Sequence, residues 1–334
     1  MTGYKVSVVV PAYNAERTLA RCVASILCQT LHEIRVIVVD DGSKDGTLRL
    51  AEDLAERDSR VCVLHQENAG CYMARLAGVK SVDTPYFGFV DADDWVEPQM
   101  YEHLLAFCQA HDLDIAECRI NVGKVKTVSQ PELFLNRAAV FDKVVYPRMW
   151  KGHGANTVWT KLYRVRNDFP KFEESFFSTW EDLIWNLQLF LPAERVGYLN
   201  EGLYNYEVTS GSSVRNFGER NVKGLNETLR VRRVLAGQYG LREDDLALAQ
   251  WTVHNVRNMF VSAVSAPAES WQQRMNNVKR LLAIPEVTEA MDVLTKKGMV
   301  DPDLAFMRKI RALPLTLAVF GARLAKLSMR MLKR

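Results

Sequence analysis

Four times in the first ninety or so residues, an apolar run gives way to a helical pattern. Val6 to Val10 is a largely β-branched strand, closed at once by Pro11-Ala12-Tyr13-Asn14. Asn14 reads as a helix N-cap, because Leu19, Cys22, Val23, Ile26 and Leu27 follow at helical spacing. A second strand from Ile34 to Val39 runs into Asp40-Asp41-Gly42-Ser43, and the next helix carries Leu48, Ala51, Leu54 and Ala55 on one face. A third, Val61 to Leu64, leads through Gln66-Glu67-Asn68-Ala69-Gly70 to a helix that contains Arg75. The fourth, Phe87-Gly88-Phe89-Val90, ends in Asp91. Regular alternation predicts a parallel sheet with helices on its faces. Strands that are apolar almost throughout fit burial on both sides.

Beyond about residue 216 the period changes. Long helices are expected over Val222–Gln238, Asp245–Val264, Ser270–Leu282 and Glu286–Lys296. Asp301-Pro302 opens another, with Asp as cap and Pro at the first position. From Leu304 to Arg334 the chain carries eight basic residues and no acidic one, whereas its net charge is only +3, so the remainder sums to −5. Arg323, Lys326, Arg330 and Lys333 form one helical stripe beside Phe320, Leu324, Leu327 and Met331. The apolar run Ala312–Phe320 is far shorter than the roughly 20 residues that span a bilayer. A basic amphipathic helix of this kind is expected to lie on an anionic membrane surface, or else to pack on its own domain. The final basic stripe has no interleaved aromatics, so nucleic acid is not an expected partner.

With 334 residues and 48% hydrophobic content, the chain can bury one large core or two modest ones. Cys22, Cys28, Cys62, Cys71, Cys108 and Cys118 show no Cys-x-x-Cys spacing, and the histidines form no metal-spaced cluster. Buried free thiols in a reducing cytosol are therefore expected. The first strand begins within a few residues of Met1, which leaves no space for a signal peptide.

The candidate chemistry sits where strands end. Asp91 and Asp93 are one residue apart, and alternate side chains of an extended segment share a face, so the two can converge on one ligand. Strand C-termini are where open α/β sheets bind ligands. Mg²⁺ or Mn²⁺ takes a carboxylate or two plus substrate phosphates. The pair is weak by itself: Asp112/Asp114 and Asp301/Asp303 repeat the spacing without a preceding apolar strand.

Taken in order, Val6–Asn14, Val39–Ser43, Asn68–Gly70 with Arg75, and Asp91–Asp94 resemble the motifs of inverting family 2 glycosyltransferases of capsule, exopolysaccharide and lipopolysaccharide type. The resemblance covers roughly residues 4 to 215; Leu76 departs from the Asn that the family often has after Ala-Arg. It implies an α/β, GT-A (Rossmann-like), mostly parallel sheet with flanking helices and a helical C-terminal region. Residues 1–120 would bind the nucleotide-sugar and 121–215 the acceptor, followed by helices over 216–300 and the basic tail over 301–334. It further implies that Pro11, Ala12, Tyr13 and one of Asp40 and Asp41 hold base and ribose. Asn68, Gly70 and Arg75 would lie against base or diphosphate, Asp91 and Ala92 near ribose, and Asp93 on Mg²⁺ or Mn²⁺. Asp41-Gly42-Ser43 alone also reads as an ordinary turn, and Arg75 as a solvated helix residue.

Glu181 and Asp182 stand before the apolar helix residues Leu183, Leu187, Phe190 and Leu191. Pattern alone makes them acids in a first helical turn; the resemblance makes Asp182 the catalytic base and Glu181 its support near the acceptor. Trp159–Tyr163, Tyr204–Tyr206 and a Ser/Gly-rich loop over 210–215 match the same family, and Glu207 is a further candidate metal ligand. The implied enzyme is a metal-dependent hexosyltransferase. It would move sugar from a UDP-sugar to a lipid-linked saccharide, on the inner face of the cell membrane. A polyprenyl-phosphate sugar synthase would need no base, since its phosphate nucleophile is already ionised. A nucleotidyltransferase should show a Gly-rich N-terminal loop, and a non-catalytic sugar-nucleotide module should lack Asp93 and Asp182.

Overall fold

The computed structural model describes residues 3–121, 131–151, 157–166, 180–207, 219–241, 245–265 and 270–312. The Ser/Gly loop at 210–215 and the basic stripe beyond 312 lie outside them. The chain divides into two compact units: residues 1–149 with 154–208, and residues 150–153 with 209–334.

The first unit is built on β1 (Val6–Ala12), α1 (Leu19–Leu27), β2 (Ile34–Asp41), α2 (Thr47–Arg57), β3 (Val61–Gln66), α3 (Cys71–Lys80) and β4 (Tyr86–Phe89). It continues with β5 (Trp95–Val96), α4 (Met100–His111), β6 (Ile115–Ile120), β7 (Glu132–Phe134), α5 (Arg137–Val140), β8 (Lys161–Arg164), α6 (Glu181–Phe190) and β9 (Val196–Asn205). The expected parallel half is present in the order β3-β2-β1-β4, with Val6 beside Ile34 and Tyr86. From β4 onward the sheet is mixed, in the order β8-β6-β9-β5 with β7 on β9, and only β6 and β9 run parallel there. Every residue of β1 is buried, as a central strand covered on both faces requires.

Pro11 is tolerated in this central strand for a local reason. The Val9 carbonyl accepts from Val90 N, so alternation aims the Pro11 nitrogen to the same side, past the end of β4. There β1 keeps only β2 as a neighbour, and a missing N–H costs no ladder bond. The sheet order reverses between β1 and β4, which opens a crevice at their C-terminal ends.

Two expectations change. Asn14 is not a cap: its backbone is left-handed (φ 52) and α1 begins only at Leu19, after Thr18. Its side chain instead accepts from Lys44 N at 2.8 Å, while its own N–H reaches Ser43 Oγ at 2.9 Å, tying the β1 and β2 loops together. β4 stops at Phe89, and Asp91 to Asp94 form a turn in which the Asp91 carbonyl accepts from Asp94 N at 3.0 Å. Alternation along a strand therefore does not align Asp91 with Asp93.

The second unit is helical: α7 (Glu219–Gln238), α8 (Asp245–Ser265), α9 (Trp271–Leu282), α10 (Pro285–Lys296) and α11 (Pro302–Ala312), close to the expected bounds. Asp301 caps α11 by accepting from Asp303 N and Leu304 N. Leu304, Met307 and Ile310 are core residues, so the first turns of the basic tail pack on their own unit. Among the described residues no helix is long and apolar enough to cross a membrane. The six thiols are free, with Cys22, Cys108 and Cys118 buried and Cys28 exposed.

Candidate active site

The ends of β1, β2 and β4 supply one wall. Pro11 and Ala12 are buried and Tyr13 stands 47% exposed at the mouth. The two aspartates that close β2 do different work. Asp41 is heavily engaged: it accepts from Gln66 Nε2, Ala69 N and Gly70 N at 2.7–2.8 Å, and so fixes the β3–α3 loop. Asp40, fully buried, gives one oxygen to His65 Nδ1 at 2.8 Å and Ser43 N at 3.3 Å; its Oδ1 has no partner. Asn68 Nδ2 donates to the Asp41 carbonyl at 3.0 Å. The crossing is close: a Cβ on Gly42 (φ +70) would lie 2.7 Å from Asn68 N, and Gly70 enters α3 at φ 90.

The Asp91–Asp94 turn is braced from beneath. Asp94 is wholly buried, and burial pushes its carboxyl up to about 7 against the pull of Glu207 N and the Tyr204 hydroxyl, which donates to it at 2.6 Å. The same hydroxyl accepts from Asp91 N at 3.2 Å, and the Tyr204 ring stacks on Trp159 at 4.1 Å. Ala92 is buried at the bend, whereas the Asp93 carboxylate hydrogen-bonds no other residue among those described. Burial raises its pKa, and Asp91 and Glu207 add to the rise by repulsion. Arg21 spans the turn: it donates to the Asp93 carbonyl (2.7 Å) and Glu207 (3.0 Å) and lies over the Trp95 ring (4.3 Å).

Opposite stands α6. Trp180 precedes it in a left-handed conformation (φ 57) that strains a bulky residue. It starts the helix abruptly, with Glu181 and Asp182 in its first turn. Arg75, 2% exposed on α3, joins the two walls: Nη1 donates to Asp182 Oδ1 at 2.6 Å and Nη2 to Asp91 Oδ1 at 2.8 Å. The sequence reading of a solvated Arg75 is thereby set aside, since the guanidinium is buried between two carboxylates. Asp182 remains 28% exposed, yet burial of the group pushes its carboxyl up to about 7; Arg75 pulls the other way, and Glu181 and Asp91 reinforce the rise. A carboxyl poised near neutrality and open to the crevice can exchange a proton with a bound alcohol.

Among the described residues, no three His, Cys, Asp or Glu side chains could by themselves hold a metal ion. Asp93 fits a cation that takes one protein carboxylate and completes its shell with water and phosphate oxygens. Pattern reading missed Arg21, His65 and Tyr204 as supports. Tyr204 lies in a segment matched by the resemblance, but its support of the Asp91–Asp94 turn cannot be read from a strand tyrosine.

The family profile described as glycosyl transferase family 2 matches residues 7–177, which takes in Asp40, Arg75, Asp91 and Asp93 but stops short of Asp182. The uncharacterized glycosyltransferase EpsJ of Bacillus subtilis (strain 168) is 38% identical over 218 residues, 62% of each protein. Glycosyltransferase GlyA of Streptococcus pneumoniae serotype 4 is 30% identical over 71% of this chain but 35% of its own length. The chain thus spans less than two thirds of either relative. The structure of S. aureus TarS 1–349 in complex with UDP-GlcNAc superposes with a TM-score of 0.62 at 20% identity, covering 98% of this chain and 92% of that one. That likeness concerns the fold. On the profile match and these relatives, the chain belongs to glycosyl transferase family 2.

Proposed function

We propose that the chain transfers a sugar from a nucleotide-sugar, with UDP as the preferred nucleotide, to a hydroxyl of a lipid-linked saccharide in cell-surface polysaccharide synthesis. The observation that carries this reading is the placement of Asp182 across one crevice from the β4 turn, joined to it by buried Arg75. One of Asp40 and Asp41, at the end of β2, would accept from the imide N–H of uracil, which cytosine and adenine lack. Two related TarS structures, with UDP and with UDP-GlcNAc, support a uridine nucleotide. Asp93 would hold Mg²⁺ or Mn²⁺, whose Lewis acidity neutralises charge on a departing diphosphate. Asp182 takes the proton of the acceptor hydroxyl while Glu181 lies beside it, and a single displacement inverts the anomeric carbon. Nothing in this scheme needs a covalent nucleophile.

A thermal-shift screen of nucleotide-sugars with and without Mn²⁺ tests the reading. The true donor should stabilise by about 2.7 kcal/mol at a hundredfold excess over its dissociation constant. If no nucleotide-sugar raises Tm, the donor assignment fails. Asp93→Ala should bind nucleotide equally with and without Mn²⁺ by calorimetry; a persisting metal effect would move the site elsewhere.

The tail is proposed to hold the enzyme against anionic lipid, where the acceptor resides. Because Leu304, Met307 and Ile310 are core, the informative truncation falls after Ala312. The shortened protein should float free of anionic vesicles yet keep donor binding, and salt should partly mimic the deletion. Full-length protein that ignores such vesicles at low salt would refute the membrane role.

A further inference from the structure

Beside its buried apolar face, α1 carries a polar stripe: Arg21 and Ser25 are one turn apart, and Gln29 follows at the same spacing just past the helix. Such a stripe ordinarily faces water. Here it grips a backbone. Gln29 Nε2 donates to the Glu97 carbonyl at 2.7 Å, and Gln29 Oε1 accepts from Tyr101 N at 3.0 Å. Ser25 Oγ accepts from Val96 N at 3.2 Å. At the head of the helix Cys22 Sγ donates to the Asp91 carbonyl at 3.5 Å, and Arg21 Nη2 to the Asp93 carbonyl at 2.7 Å. Successive turns thus hold successive main-chain groups between Asp91 and Tyr101, and Arg21 holds the one that belongs to Asp93.

Arg21 is itself anchored twice. Nη1 donates to Glu207 Oε2 at 3.0 Å, and the guanidinium lies 4.3 Å from the centroid of the Trp95 ring. Glu207 is tied to the same turn, since its N–H donates to Asp94 Oδ1 at 2.8 Å. The ion pair adds little to stability, because its two side chains are 45% and 39% exposed. Its place in the site carries more weight. The Asp93 carboxylate hydrogen-bonds no other residue among those described, so its direction is set through its main chain. An arginine beside a cation site also repels the cation, a cost that a gain in geometry has to offset.

We propose that Arg21, anchored on Glu207 and Trp95, is a positioning residue that fixes the main chain of Asp93 so that its carboxylate meets Mg²⁺ or Mn²⁺. Glu207 is then the anchor of this clamp rather than a ligand. The inference rests on the reading of Asp93 as the cation site. Supports that stand behind a metal ligand typically contribute about 10–100-fold to affinity for the ion.

Calorimetric titration of UDP with and without Mn²⁺, on the full chain and three variants, supplies the test. The manganese effect is the ratio of the two UDP affinities. Arg21→Met should shrink it about tenfold and leave UDP affinity without metal unchanged. Charge alone predicts the opposite sign, since losing a cation and releasing Glu207 would strengthen Mn²⁺ binding. Arg21→Lys keeps the charge but cannot serve both acceptors with a planar fork. Its manganese effect should fall between those of wild type and Arg21→Met, and it decides if Arg21→Met does not fold. Glu207→Gln keeps an oxygen for Arg21 and should act mildly. An unchanged or larger manganese effect in Arg21→Met overturns the proposal. So does a loss of UDP affinity without metal, which would put Arg21 on the diphosphate. A Glu207→Gln that loses the whole effect, as Asp93→Ala should, makes Glu207 a ligand and overturns its role as anchor. A wild type with no manganese effect removes the cation site and this inference together.

Discussion

Asp182→Asn is expected to lower sugar transfer by roughly 10²–10⁴-fold, the usual contribution of a general base, with donor affinity retained. Asparagine keeps an oxygen in the position of Asp182 Oδ1, which accepts from Arg75 at 2.6 Å. The bridge to Asp91 and the shape of the crevice therefore survive, and only the capacity to take a proton is lost. Glu181→Gln removes a neighbouring charge and should act mildly. The wild-type rate should also follow the base: with its carboxyl pushed up to about 7, activity rises with pH through neutrality and falls about tenfold per unit below it. The readouts are single-turnover transfer rates and nucleotide titrations on the same samples. Near-wild-type transfer by Asp182→Asn, or inactivation by Glu181→Gln alone, would remove Asp182 from the chemistry.

The first half of the sheet and the described C-terminal helices could be read from the chain, because their apolar residues repeat at periods that only a buried strand or an amphipathic helix explains. The second half of the sheet could not. β5 is two residues long, too short for any period to register, and β8 takes its place through antiparallel partners and β9 beside parallel β6, all far away in sequence. The errors share that cause. Asn14 has the residue type and position of a cap, but its partners are Ser43 and Lys44, some thirty residues on. The Asp-x-Asp spacing looks like alternation along a strand, yet the turn is set by Tyr204 and Glu207 beneath it. The burial of Arg75 is likewise hidden from the local pattern. A basic residue in a helix normally faces solvent, but α3 also buries Tyr72, Ala74 and Leu76, so this helix leaves Arg75 inside. Only the two carboxylates, 16 and 107 residues away, make that position tolerable.

Arg75→Met should reveal how much of the site depends on that one bridge. Methionine keeps the unbranched stem of the side chain but not its guanidinium, so Asp91 and Asp182 lose their shared partner at once. Breaking a buried ion pair costs several kcal/mol, and with both carboxylates still more than a quarter exposed the loss should sit near the low end, about 3 kcal/mol. The sign of its pH dependence follows from Asp182. Arg75 lowers the pKa of that carboxyl, so its removal raises it further above the unfolded value. Between those two values the folded state holds a proton that the unfolded state releases, and stability falls as pH rises. The deficit of the variant should thus be smallest in mild acid and grow until pH passes the raised pKa of Asp182. The acid limb of the rate profile should move the same way, to higher pH. Arg75→Lys keeps the charge but cannot serve both carboxylates with a planar fork, and should restore stability only in part while returning the limb toward its wild-type position. A purely structural Arg75 predicts lost stability with an unmoved limb. Denaturation midpoints and single-turnover rates across the pH range, measured on wild type and both variants, separate the two.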